Sequence, residues 1–146
     1  MMKYGLDIEN SYLRNEIAQC LKNQGHLVID MNEFEYLGAG EKLFKKVILA
    51  NQSQVEIYIY VSISEGKDEV IRITGDDTLL AKRFYQNFLV KKDNISFKIS
   101  DYMVDESYYV INNIKNSVVF FEINTRRDDS IKEILPLIID ALTSLS

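Results

Sequence analysis

At 146 residues the chain is long enough for one domain, 1–146, with a sizeable core, and a content of 47% hydrophobic and 27% charged residues excludes a disordered or low-complexity protein. The formal net charge of −5, with a pI near 4.9, excludes the Lys- and Arg-rich surface that nucleic-acid phosphates require. Lys45-Lys46, Lys91-Lys92 and Arg126-Arg127 are short runs expected on solvated faces. No apolar stretch approaches membrane-spanning length, and acidic residues stand where a signal peptide has its apolar core. A cytoplasmic protein is expected, with export by a route other than a signal peptide left open.

In chain order, residues 2–8 form a candidate strand and residues 11–23 a helix with Leu13, Ile17, Cys20 and Leu21 on one stripe, ended by Gly25 as a left-handed cap. Cys20, the single cysteine, excludes an intrachain disulfide and is expected to pack as a small buried hydrophobe. Residues 26–31 (HLVIDM) read as a second, buried strand. A helix from 37 or 40 to 51 is expected to turn Phe44, Val47 and Ile48 inward. Residues 55–66 (VEIYIYVSISEG) alternate strictly: Val55, Ile57, Ile59, Val61 and Ile63 make one apolar face, and Glu56, Tyr58, Tyr60, Ser62 and Ser64 make the other. That is a strand.

Residues 69–74 (EVIRIT) read as a short strand, followed by a turn and helix N-cap at Gly75-Asp76-Asp77 and a helix to about Val90 with Leu80, Phe84 and Phe88 inward. Residues 95–100 alternate as a half-buried strand, and residues 117–123 (SVVFFEI) form the continuous apolar run of a central parallel strand. The last helix begins near Ser130, with Glu133 completing a capping box, and turns Ile131, Ile134, Ile138, Leu142 and Leu145 inward; Pro136 predicts a kink. The alternation of strands and helices predicts an α/β three-layer sandwich on a mostly parallel, twisted central sheet of about five to six strands.

Ligands in open α/β sheets gather at the carboxyl ends of strands, which directs attention to residues 7–10, Asp30, residues 62–65 and residues 122–124. His26, the only histidine, lies at the start of a strand, at the opposite end. Ser62 and Ser64 have no nearby histidine to serve as base. Tyr102, Tyr108 and Tyr109 are expected in core and rim packing, with a glycan or peptide groove as the alternative. An all-carboxylate Mg²⁺ or Mn²⁺ site from Asp7, Glu9, Asp30, Glu65 and Glu122, as in a nuclease or phosphohydrolase, is a further alternative.

Several segments in order resemble the zinc-dependent N-acetylmuramoyl-L-alanine amidases, peptidoglycan-cleaving enzymes of the type 3 kind. Residues 13–31 are similar to that family's first helix and second strand. The helix ending Ala50-Asn51 resembles the one that precedes its Ser-Ile-His strand, here Ser62-Ile63-Ser64; Leu79-Leu80-Ala81 is similar to the next helix start, and residues 118–122 to the strand carrying its catalytic glutamate. The resemblance implies that Glu122 stands at the catalytic position and that Glu9, Asn10 and Ser64 stand at degenerate zinc-ligand positions, with Asn124 where the family has Gly. A neutral hydroxyl is a poor zinc ligand. The expectation is therefore an amidase-fold pseudoenzyme with no cofactor, zinc being the family's, and a binding or regulatory role toward peptidoglycan fragments or a protein partner. An active amidase with an atypical metal site is the alternative within that family.

Overall fold

The structure is a computed structural model and describes residues 1–145, leaving aside the side chain of Asp128. Its strands are β1 (Lys3–Ile8), β2 (Leu27–Asp30), β3 (Ile57–Glu65), β4 (Val70–Gly75), β5 (Lys98–Ile99), β6 (Met103–Val104) and β7 (Ser117–Thr125). They join in one seven-stranded sheet of order β2-β1-β3-β7-β4-β5, with β6 also on β4. Every pairing is parallel except β4 with β7, so the sheet is mostly parallel and slightly larger than the five to six strands expected.

Period-two alternation assigns each strand's side chains to two layers. On one side Leu6, Ile8, Ile57, Ile59, Val61, Ile73, Val119, Phe121 and Ile123 pack against α1 (Ser11–Asn23), α3 (Leu79–Leu89) and α5 (Ile131–Thr143). On the other a smaller cluster joins Tyr58 and Val118 to α2 (Ala39–Ser53) and α4 (Tyr109–Asn113). This is the three-layer α/β sandwich. Among the described residues no helix is long and apolar enough to cross a membrane.

Local chemistry departs from the sequence expectations in instructive places. β2 is an edge strand, half-exposed rather than buried, because only β1 pairs with it. Strand 95–100 shrinks to Lys98–Ile99, and the connection beyond it supplies β6 and α4, which no clear periodicity marks. Thr78, not Asp76 or Asp77, caps α3 by accepting from the Ala81 N–H; Asp76 instead accepts from Thr78 and from the Val118 N–H, fastening the turn to β7. Ser130 makes no capping hydrogen bond: it sits in helical conformation as the last residue of a short 3-10 turn, and its hydroxyl is buried without a partner among the described residues. Helix α5 continues through Pro136.

Leu13, Ile17 and Leu21 are fully buried on α1, but Cys20 is only half-buried, lying one step off their stripe. Gly25 does end that helix in the left-handed region, at φ 85°. On α2 the inward stripe is Lys46, Val47 and Ala50, so Phe44 is exposed and Lys46, expected in solvent, is 5% exposed. Asn51, at the end of the same helix, donates to the Asn113 carbonyl and accepts from the Lys115 N–H, tying α2 to the approach of β7.

Candidate functional site

The parallel core strands β1, β3 and β7 end on one edge of the sheet, and their registers line up three side chains that face α2 and α4: Asp7 opposite Tyr60, and Tyr60 opposite Phe120. One step further on come Ser62 and, opposite it, Glu122, with Glu9 just past the end of β1. Asp7, Glu9, Tyr60, Phe120 and Glu122, together with Glu35, Lys42, Lys46, Tyr108 and Val110, line a cavity of about 370 Å³.

Its floor is a buried polar triad. Lys46 Nζ lies 2.9 Å from Asp7 Oδ1, and Tyr58 donates to Asp7 Oδ2 at 2.5 Å; all three side chains are buried. Burial pushes the Asp7 carboxyl up from the usual aspartate range, against the opposing pull of the Tyr58 hydroxyl and the Lys46 ammonium. Burial likewise drives the Tyr58 phenol strongly upward, with the Asp7 charge adding to it, so the hydroxyl stays the donor. Glu35 extends the network to solvent: it accepts from Lys42 at 2.9 Å, which lowers its own carboxyl, and approaches Lys46 at 3.8 Å.

The wall is aromatic. Tyr60 and Phe120 rings lie 4.8 Å apart at 45°, and Tyr108 lies 5.3 Å from Phe120 at 50°. Desolvation raises the Tyr60 phenol; the Ser62 hydroxyl opposes that, and Asp7, Glu122 and Glu9 add to it. Glu122 is half-buried, and neither it nor Glu9 makes a side-chain hydrogen bond or ion pair among the described residues. Neither Arg126 nor Arg127 pairs with Glu122: Arg126 is exposed and Arg127 approaches Glu69. The cation opposite Glu122 in the sheet is Arg72, exposed on β4.

The remaining candidates are dispersed. Asn10 caps α1, its side-chain oxygen accepting from the Leu13 N–H at 2.9 Å. Ser64 and Glu65 are exposed at the tip of β3, and Asp30 accepts from the Asn32 N–H; none of these lines the cavity. His26 lies at the other end of the sheet, its Nδ1 accepting from the Met2 N–H and its ring edge-on to Tyr4. Of the tyrosines grouped in sequence, Tyr108 alone reaches the cavity; Tyr102 donates to the Asp76 carbonyl beyond β4 and Tyr109 is exposed.

Zinc is the metal that the resemblance implies, and the donor set does not fit it. A zinc site takes three or four imidazole, thiolate or carboxylate ligands. Here the one imidazole is remote, Asn10 is committed to a helix cap and Ser64 offers a neutral hydroxyl. Among the described residues no three His, Cys, Asp or Glu side chains are grouped to hold a metal ion. Lys46, Tyr58, Glu35, Tyr60 and Phe120 are the site residues that sequence reading missed. The signal for Lys46 was present in its i+4 spacing to Ala50 on the α2 stripe.

By sequence, no family model and no curated protein matches the chain. By structure, it is similar to the catalytic domain of CwlV, an N-acetylmuramoyl-L-alanine amidase from Bacillus (Paenibacillus) polymyxa var. colistinus, with a TM-score of 0.75 at 10% identity over 99% of this chain and 97% of that one. It is also similar to the catalytic domain of CD27L, an endolysin targeting Clostridia difficile (TM-score 0.72, 15% identity, 99% and 98% covered). A third is the CwlD amidase of Clostridioides difficile, solved in complex with the GerS lipoprotein (TM-score 0.69, 9% identity, 99% and 98% covered). At such identities the likeness is one of architecture: the chain has the fold of N-acetylmuramoyl-L-alanine amidase catalytic domains.

Proposed function

We propose that this chain is a non-catalytic binding or regulatory protein on the amidase fold, acting on cell-wall material or its processing machinery through the cavity at the strand ends. The observation that carries this reading is the chemistry at the positions where the resembled amidases hold zinc. Glu9 is free but exposed, Asn10 is spent as a cap, and Ser64 is a hydroxyl in solvent. Glu122, where the resemblance puts the catalytic glutamate, borders the cavity, and a glutamate in that role works on a metal-bound water, for which Asn10 and Ser64 are poor metal ligands. The floor beneath it is closed by the Asp7–Lys46–Tyr58 triad, whose charges already satisfy each other. Two ligand classes agree with this reading: peptidoglycan fragments, the material that the resembled family cuts, and a protein partner, as CwlD has in GerS.

The test is elemental mass spectrometry on protein purified without chelator, then digestion of purified peptidoglycan with and without added Zn²⁺, and cosedimentation with insoluble peptidoglycan. The expected result is no released stem peptide under either condition. Stoichiometric zinc together with released stem peptides would overturn the reading and make the chain an active amidase with an atypical metal site.

A further inference from the structure

The cavity holds four carboxylates, Asp7, Glu9, Glu35 and Glu122, and two ammonium groups, those of Lys42 and Lys46. Lys46 is neutralised by Asp7 and Lys42 by Glu35, each at 2.9 Å. Glu9 and Glu122 are left without an ion pair. Two guanidiniums stand nearby without pairing with them: Arg14 donates to the Ile8 carbonyl and its charge reaches Glu35, and exposed Arg72, opposite Glu122 in the sheet, forms no ion pair with it.

Position sharpens the point. Glu9 follows β1 and Glu122 lies on β7, on either side of β3, so two strand spacings, about 10 Å, separate their backbones. Two residues back on the same face stand the rings of Tyr60, on the strand between them, and of Phe120, on the same strand as Glu122, with Tyr108 closing the side. Tilted aromatic rings beside carboxylates without an ion pair are the arrangement that attracts an organic cation: the ring quadrupole and the carboxylates favour the positive head, and the rings and Val110 accept its methyl or methylene groups. An anion would meet two carboxylates that no ion pair holds, and an uncharged apolar ligand would leave Glu122 desolvated without a partner.

We propose that this cavity binds an organic ammonium group, with the cation between Glu9 and Glu122 and over the Tyr60–Phe120 pair. This deepens the binding reading above by naming the ligand's chemistry. Two sources present such a group: the side-chain amine of a diamino acid in a peptide, and a quaternary trimethylammonium head of the choline type.

The probes are Nα-acetyl-lysinamide and choline, each beside its uncharged isostere, Nα-acetyl-norleucinamide and 3,3-dimethylbutanol. Binding is followed by heteronuclear NMR on the whole chain, reading the backbone amides of Tyr60, Phe120 and Glu122. At least one ammonium is expected to shift these resonances saturably while its neutral isostere does not, and the one that does identifies the source. Tyr60→Leu is expected to weaken binding by about three- to thirtyfold, the range of a partly desolvated cation–π contact. Glu122→Gln keeps the side-chain shape and is expected to weaken it by about three- to tenfold, and added salt acts in the same direction.

Equal binding of the neutral isosteres would overturn the proposal, as would unaltered affinity in both variants or no saturable shift with either ammonium. Its failure is separable from that of the binding reading. Peptidoglycan cleavage with zinc would sink that reading and leave ammonium binding standing, whereas cosedimentation with peptidoglycan without any ammonium response would do the reverse.

Discussion

The two faces of the sheet are made by the same strands and obey different rules. β3 sends Ile57, Ile59 and Val61 to the α1/α3/α5 side, into the large hydrophobic core, and Tyr58, Tyr60 and Ser62 to the α2/α4 side, where the neighbours include two ammonium groups and four carboxylates. On the first face, area and shape decide stability; on the second, it rests on partners. A residue there is tolerated because of one particular atom opposite it, so the same change in size has different consequences on the two sides.

Truncation of the apolar face is expected to give the largest effect. Phe121 is 0% exposed and meets both Phe84 and Phe88 edge-on, so Phe121→Ala should lower unfolding free energy by about 3–5 kcal/mol in urea denaturation. A volume-conserving swap on that face, such as Ile59→Leu, should cost less than about 1.5 kcal/mol. If the small change proved as damaging as the truncation, the face would depend on shape complementarity rather than burial.

On the other face even a change that roughly conserves volume should be costly. Lys46→Met keeps the length of the side chain but leaves Asp7 buried without its cation, a loss of about 3 kcal/mol, toward the low end for a broken buried pair because Asp7 can escape as the neutral acid. Asp7→Asn together with Lys46→Met keeps an acceptor for Tyr58 and removes both charges, and should recover most of that loss. A double variant no better than the single one would show that the triad holds the fold through geometry that Asn and Met do not reproduce.

This contrast also explains what the sequence disclosed. The central runs at 55–66 and 117–123, the helix stripes Leu13-Ile17-Leu21 and Ile134-Ile138-Leu142, and the Gly25 cap were legible because burial of apolar area repeats with the period of the element. The resemblance on those segments led to the architecture that the solved amidase domains share. Lys46 and Phe44 were assigned to the wrong sides because hydrophobicity was weighed before spacing. The reason a lysine can be buried, Asp7, is 39 residues away in sequence. Sequence reading placed Glu9 and Glu122 at strand ends, but the aromatic wall beside them depends on the registers Asp7–Tyr60–Phe120, which no local pattern specifies.

The Tyr4 hydroxyl, a polar group within the apolar face, tests the contrast at intermediate scale. Tyr4 is 0% exposed, and its hydroxyl donates to the Leu142 carbonyl at 2.9 Å; burial, with the Glu56 charge adding to it, pushes its phenol up to about 12. A folded-state pKa above the unfolded value means that the contribution is intact below about pH 10 and is lost as pH climbs toward 12, since the unfolded chain gives up the proton first. Tyr4→Phe should therefore cost about 1 kcal/mol at neutral pH, the net value of a buried hydrogen bond, and lose less stability than the parent between pH 10 and 12. Parallel alkaline curves for the two proteins would show that Tyr4 does not titrate with unfolding.

The smallest effect belongs to Asn10, the cap of α1 that the resemblance puts among the family's ligand positions. Asn10 accepts from the Leu13 N–H, and Asn10→Ala should cost about 1 kcal/mol of stability. Asn10→Ser supplies an equivalent acceptor and should cost only a few tenths, about 0.3 kcal/mol. Because Asn10 does not line the cavity, neither change should alter ammonium binding there. A variant that kept its stability but lost the NMR response would move Asn10 from the helix cap to the ligand, and with it the boundary between the scaffold and the site.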